Sequence, residues 1–340
     1  MDMIYDRILG GMIGIALGDA FGMPSEMWSR KRIKDYFGEI HSFKPGPDEN
    51  AISKGLKAGE VTDDTMNTIF VIEMLYENRG KADPYLYIKK LKHWSKTSDK
   101  SIAVIGPSTS KAIKLLEEGT PIEETGKTGI TNGAAMKILP IGFVYSVKNM
   151  EEMVKEVYKL CLPTHNTSAA ISGASAIAAA GSYMVSGGSS MEKLLETACE
   201  AAEIGIKYGF DVASASIRKR ILMGKRIVDS MEREKQSSDK ILDEIYDVIG
   251  TGLPITESVP AALTLVYLAK GDPIKCARYC ANIGGDTDTL GAMGCGICGA
   301  GFGGQNFPAE LVETLEQTNH INFSMSAEWL TELRKTMKSR

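Results

Sequence analysis

The chain has no surplus of positive charge: Lys and Arg number 39 against 43 Asp and Glu, a formal net charge of −4. No polybasic run compensates, so no surface for nucleic acid or acidic lipid is advertised. A phosphate-bearing ligand would have to be held by helix N-termini and metals rather than by a positive field. Strand signals are missing as well. No run alternates β-branched with polar residues, and without strand–helix alternation a Rossmann-type sheet is disfavoured. No repeat of solenoid period is visible. Residues 1–7 carry mixed charge, and the apolar stretch after them contains Asp19 and Glu26, so it does not read as a signal peptide. The Ala/Ser/Gly-rich stretch 169–185 is too weakly apolar to span a bilayer and reads as a buried, close-packed helix. No membrane partner is therefore expected. Six cysteines without a secretion signal suggest a reducing, cytoplasmic setting.

Cys276, Cys280, Cys295 and Cys298 form a C-x3-C…C-x2-C pattern that raises zinc as an option. The competing reading is preferred. Cys276 and Cys280 sit at i, i+4 in an apolar stretch, Cys295 and Cys298 lie among Gly and Ala, and free Cys behaves mostly as a small hydrophobe.

What remains is ordinary globular composition, 43% apolar and 24% charged over 340 residues, ample for a hydrophobic core. Helical periodicity dominates. Stretches 4–17, 64–76, 85–94, 109–117, 150–160, 168–185, 191–206, 215–230, 241–249, 260–270, 273–281 and 309–318 carry apolar residues at i, i+3, i+4 spacing or Ala-rich helical composition. Breakers such as Lys44-Pro45-Gly46-Pro47 and Gly252-Leu253-Pro254 separate them. None is long enough for an interdomain linker, so one all-α domain over 1–340 is expected. The oligomeric state is not legible.

Two clusters stand out. Thr62-Asp63-Asp64-Thr65 precedes one apolar-periodic helix. Asn282-Ile283-Gly284-Gly285-Asp286-Thr287-Asp288-Thr289 precedes a small-residue helix over 290–301. A helix cap explains one such side chain, with one acid after it, but not four oxygen-bearing side chains in a row. Adjacent desolvated aspartates repel, and a bound divalent cation removes that cost. Hard cations such as Mg²⁺ and Mn²⁺ choose carboxylate, hydroxyl and water oxygens. No Cys or His is interleaved, so a zinc-type site is disfavoured. Two clusters on two helix starts, facing each other, would supply ligands to two ions.

In five places the chain resembles the ADP-ribosylglycohydrolase family. These are residues 14–22 (Gly-Ile-Ala-Leu-Gly-Asp-Ala-Phe-Gly) ending in Glu26, Thr62-Asp63-Asp64-Thr65, Gly106-Pro107-Ser108-Thr109, Asn132-Gly133-Ala134-Ala135-Met136, and Gly284-Gly285-Asp286-Thr287-Asp288-Thr289. The resemblance implies a compact, orthogonal multi-helix fold with a binuclear Mg²⁺ or Mn²⁺ cleft, and hydrolysis of the C1″ bond of an ADP-ribosyl group. It implies Thr62, Asp63, Asp64, Asp286, Asp288 and Thr289 as metal ligands. Glu26, Asp63 and Asp286 become the candidate catalytic acids, with Glu26 a gate or general base. Gly106, Ser108, Thr109, Asn132, Gly133, Ala134, Met136 and His165 would line the ADP-ribose groove. The partner would be ADP-ribose or an ADP-ribosylated substrate. Two other readings stay open: a hydrolase of small N-ribosides or ADP-ribosyl metabolites, and a non-catalytic ADP-ribose-binding or structural protein. Two positions depart from the family pattern. Lys137 stands where many members have Arg. Val104 stands where arginine-linkage members place Asp, which argues against an arginine-linked substrate.

Overall fold

Hydroxyl side chains set where many of the helices begin. Ser29, Thr62, Thr167, Ser190, Ser216 and Ser237 each accept a hydrogen bond from a backbone N–H in the first turn of the helix they precede. The computed structural model describes residues 2–97 and 106–338, and within them the chain is helical without a sheet, as its periodicity predicts. In order, the helices are α1 (Met3–Gly22), α2 (Arg30–Phe37), α3 (Asp63–Glu77), α4 (Pro84–Thr97), α5 (Pro107–Glu117), α6 (Ile122–Thr125), α7 (Leu139–Val144), α8 (Met150–His165) and α9 (Ser168–Val185). Then follow α10 (Met191–Gly205), α11 (Ile217–Arg233), α12 (Ser238–Val248), α13 (Ile255–Leu268), α14 (Pro273–Ile283), α15 (Thr287–Phe302), α16 (Ala309–Asn319) and α17 (Phe323–Lys338).

The expected helices are all present, with shifted ends. Helices α2, α6, α7 and α17 are additional. Helix α7 is buried along its whole length, so it has no polar face to give a period. Prolines misplace two boundaries. Helix α8 continues through Pro163 and α13 begins before Pro260. Pro260 has no N–H for the carbonyl four residues earlier, that of Thr256. The Arg220 guanidinium donates to that oxygen instead, at 2.9 Å.

Helices α1 and α15 lie backbone to backbone. A Cβ placed on Gly10, Gly14, Gly18 or Gly22 would come within 3.0 Å of the backbone of Gly299, Cys295, Gly291 or Thr287 respectively. One glycine per turn from Gly10 to Gly22 of α1 thus lets the two backbones touch along most of α15. All of α9 except Tyr183 is buried, as its Ala/Ser/Gly composition predicts. The segments Met3–Ser25 and Ser168–Val185 are long and apolar enough to cross a membrane, but 94% of each apolar stretch is buried inside the protein. They are core helices here. The four clustered cysteines are buried between α14 and α15. Cys276 and Cys280 Sγ are 4.0 Å apart, and the Cys295 thiol donates to the Pro273 carbonyl. They act as small core residues, and the thiols are not among the groups close enough to share an ion.

The last helix is fastened by a buried cation. Arg334 Nη1 donates to the carbonyls of Gly142, Phe143 and Tyr145 at the end of α7, and Nη2 donates to Ser186 Oγ. Carbonyls at a helix C-terminus carry partial negative charge, which this guanidinium meets.

Gly18→Ala forces a methyl against the Gly291 carbonyl. Overpacking of this kind costs roughly 1–3 kcal/mol, and here the obstacle is backbone rather than a movable side chain. The variant should melt several degrees lower in a thermal scan followed by circular dichroism. An unchanged melting temperature would mean that the two helices are not held in contact.

Candidate metal centre and cleft

The close contact of α1 and α15 brings the end of one beside the start of the other. After α1 the chain turns through Met23–Ser25 to Glu26. Met27 N donates to the Gly285 carbonyl at 2.7 Å, and Gly285 N donates to the Trp28 carbonyl at 2.9 Å. Gly284 and Gly285 have φ of +89° and +80°, a region open mainly to glycine. A Cβ on either would also strike the backbone of Arg30 or Thr251. Met27 shares that left-handed region at φ +58°, which is uncommon for a side chain of its size.

The two acidic clusters meet across 226 residues of sequence. Thr62 Oγ1 lies 3.3 Å from carboxylate oxygens of both Asp64 and Asp288, and Thr289 Oγ1 lies 3.3 Å from Asp64. Capping is divided unequally between them. Thr62 caps α3, which leaves Asp63 and Asp64 free of that duty. At α15 the cap position is Asp286, whose side chain makes no capping bond. Its carboxylate instead accepts from Asn132 Nδ2 at 2.5 Å.

These groups floor a cleft of about 200 Å³ lined by Glu26, Asp63, Asp64, Asp286, Asp288 and Thr289. Its walls include Gly106, Ser108, Thr109, Asn132, Gly133, Met136 and His165. Of the groove residues named from the resemblance, Ala134 falls elsewhere. It is fully buried in the core, because the tight 3-10 turn Asn132–Ala134 turns its methyl away from the cleft. Thr62 touches the acids but lies behind the lining. Val104 lies outside the described residues.

A row of hydroxyls backs the wall. Ser108 Oγ is 3.2 Å from Thr131 Oγ1, which is 2.9 Å from His165 Nε2, and His165 Nδ1 is 2.8 Å from Thr164 Oγ1. Burial, and then the Lys137 charge, hold the His165 pKa well below its usual range, so the ring is neutral. One of its nitrogens donates and the other accepts.

The acids strain against one another. Burial raises Asp63 to about 8, with the charges of Asp19 and Asp286 adding to it. Burial, followed by the Asp286 and Asp63 charges, holds Glu26 well above the carboxylate range. Asp64 and Asp288 are likewise pushed well up, first by burial. Two buried oxygens, Asp64 Oδ1 and Asp288 Oδ1, have no hydrogen-bond partner among the described residues. Orphaned acceptors of this kind are costly and fit a hard divalent cation, which needs oxygen ligands and supplies the missing positive charge. Glu26, Asp286 and Asp288 also offer oxygens within 4.8 Å of one another, a spacing that suits one shared ion.

Two supporting residues, Asp19 and Lys137, were not among the site residues expected from the sequence. Asp19, fully buried on α1, accepts from Thr62 N, Thr65 N and Thr65 Oγ1. It therefore holds the turn that presents Asp63 and Asp64. A lone acid in the apolar run of α1 was its signal, since a buried charge needs partners. Lys137, only 1% exposed, sits beneath the 132–136 loop.

Fold and site together define an all-α protein with an acid-floored cleft suited to oxygen-ligated metal. A family model described as ADP-ribosylglycohydrolase matches residues 1–339, and the chain belongs to that family. It is similar to the uncharacterized protein YegU of Escherichia coli K12, 36% identical over 334 residues that cover 98% of each chain. It is also similar to the ADP-ribosylhydrolase ARH3 of Bos taurus, 23% identical over 331 residues, covering 91% of this chain and 88% of that protein. A solved ADP-ribosylglycohydrolase-related protein complex shares the fold, with a TM-score of 0.70 and 21% identity over 98% of this chain and 100% of that one. The family supports a glycohydrolase at the general level.

The raised acids make stability depend on pH. Without metal, the folded protein keeps a proton on Asp19 to about pH 6 and on Asp63 to about pH 8, whereas unfolded aspartates release theirs near pH 4. Between those limits the folded state binds more protons than the unfolded, so stability falls as pH rises. Metal binding displaces those protons and strengthens with pH. Thermal melts at pH 5 and pH 8 should therefore show a lower melting temperature at pH 8 in EDTA, and a larger gain from Mg²⁺ at pH 8 than at pH 5. Equal gains at both pH values would count against ion binding at these carboxylates.

Proposed function

We propose that this protein is a divalent-metal-dependent hydrolase that cleaves the C1″ glycosidic bond of an ADP-ribosyl group, using two Mg²⁺ or Mn²⁺ ions. The observation that carries the reading is the meeting of the two helix-start acid clusters at the cleft floor, with two orphaned carboxylate oxygens and Glu26 at the rim.

Thr62, Asp63, Asp64, Asp286, Asp288 and Thr289 would hold the ions. When bound, the ions would offset the packed negative charge, orient vicinal ribose hydroxyls and acidify water. The carboxylates around the ribose favour the positive charge that develops at C1″ as the bond to the leaving group breaks. Once cations offset the neighbouring acid charges that hold Glu26 protonated, its carboxylate would take the proton of the attacking water as general base. Asn132 orients Asp286 through its amide. Among the described residues no Lys or Arg lines the cleft. Within the 132–136 loop the N–H groups of Asn132, Ala135 and Met136 already donate to backbone carbonyls, so the pyrophosphate would rest on the Gly133 backbone and on Ser108 and Thr109 in the first turn of α5. Neutral His165 keeps Thr131 in place on that wall without adding charge.

Release of ADP-ribose from ADP-ribosylated substrates, with Mg²⁺ or Mn²⁺ and with EDTA, tests the reading. Asp286→Asn and Asp63→Asn should each lower turnover by at least about a hundredfold, since both ligand charge and position are lost. Either variant folding and retaining full metal-dependent turnover would remove the two-cluster site. Glu26→Gln should bind ADP-ribose normally yet hydrolyse on the order of 10²–10⁴-fold more slowly. Unchanged turnover would make Glu26 structural.

A further inference from the structure

Lys137 is a buried cation in the support of the cleft, and among the described residues it makes no hydrogen bond to any of the six proposed metal ligands. We propose that Lys137 is a positioning residue with two separable tasks: it pins the 132–136 loop that faces the ligand, and it moderates the negative charge of the acid cluster. The inference rests on the function proposed above for one of its two arms.

Lys137 follows the cleft-lining Met136 but is itself withdrawn from the cleft, at 1% exposure. Its ammonium donates to the Gly133 carbonyl, in the middle of the loop whose Asn132 holds Asp286. It also sits 5.4 Å from the centre of the Tyr87 ring, a favourable place for a cation. The Tyr87 hydroxyl donates to Asn67 Oδ1 at 2.6 Å, and Asn67 Nδ2 donates to the Asp63 carbonyl at 2.8 Å. A continuous polar path therefore runs from the ligand loop, under the cleft, to the first turn of α3. Among the described residues no carboxylate forms an ion pair with Lys137. A buried ammonium without an ion-pair partner is costly. Burial pulls the Lys137 pKa down to about 8, and the charges of Asp63 and Asp64, at the far end of that polar path, act against the fall and favour its charged form. The same fields mean that Lys137 opposes cation binding at those acids, while its hydrogen bond favours the loop conformation.

The two tasks predict effects of opposite sign in one variant. Lys137→Met keeps length and removes both donor and charge. Mn²⁺ affinity, measured by calorimetry on metal-stripped protein, should rise several-fold. ADP-ribose affinity in saturating Mn²⁺ should fall at least about tenfold, the lower end for a lost hydrogen bond to a charged group. Lys137→Arg keeps charge and donors and should stay near wild type in both. A residue that merely filled space would weaken both affinities together in the Met variant. Wild-type ADP-ribose affinity in Lys137→Met overturns the loop task, and weakened Mn²⁺ binding overturns the charge task. If Lys137→Met fails to fold, Lys137→Gln tests the charge task alone: tighter Mn²⁺ binding supports it, and equal or weaker binding overturns it. Wild-type protein that binds no ADP-ribose with Mn²⁺ sinks the proposed function instead, and the Mn²⁺ arm still judges Lys137.

Discussion

Contact between the backbones of α1 and α15 governs the distances on which the cleft depends. Side chains normally keep helix axes about 8–10 Å apart. Four glycines spaced one per turn remove that spacer on α1, and Gly291 and Gly299 remove it on α15. The Glu26 turn at the end of α1 and the Asp286 turn at the start of α15 then fall side by side. Two further bonds seal the junction: the Thr287 hydroxyl donates to the Gly22 carbonyl at 2.7 Å, and the Ser25 hydroxyl donates to the Ala281 carbonyl at 2.7 Å. A rigid seam lies directly behind the acids, where a small displacement would change every ligand distance.

Against that rigid seam stands an electrostatic conflict. Asp19, Asp64, Asp286 and Asp288 are buried, and Asp63 half-buried, within one region. Burial raises all their pKa values, and their mutual charges raise several further. Asp19 is calmed by three hydrogen-bond donors, and Asp286 by Asn132. Asp64 and Asp288 each keep an unpartnered oxygen. Local stability is sacrificed here in the manner of functional sites, where polar groups are held ready for something outside the chain. Lys137, hydrogen-bonded to the Gly133 carbonyl below the cleft, is the cation proposed to ease that conflict.

Much of this was legible in one dimension. The 3.6-residue period located the amphipathic helices, and the excess of oxygen-bearing residues over what a cap requires marked both clusters. The uniformly buried α7 escaped, because an all-apolar segment carries no period. The start of α13 was hidden by Pro260, whose missing hydrogen bond is replaced by Arg220 from another helix. Ala134 was placed with its loop neighbours, yet a 3-10 turn rotates each residue by about a third of a circle and sends this one to the core. Lys137 was visible only as a departure from a family pattern. Its burial, and its path to Asp63, depend on Tyr87 and Asn67 from two other helices.

The sequence by itself determined the helical class, the two acidic helix starts and the chemistry they prefer, because periodicity, capping and ligand hardness are properties of near neighbours and of side-chain type. Only the tertiary structure decided that Thr62 and Asp288, 226 residues apart, come within 3.3 Å of each other. It also decided that Thr62 rather than an acid caps α3, that Asp286 makes no capping bond at all, and that Asp19 works from behind the cleft. Those choices depend on how closely two helices approach, and that distance is set by glycines whose effect appears only when both backbones are in place.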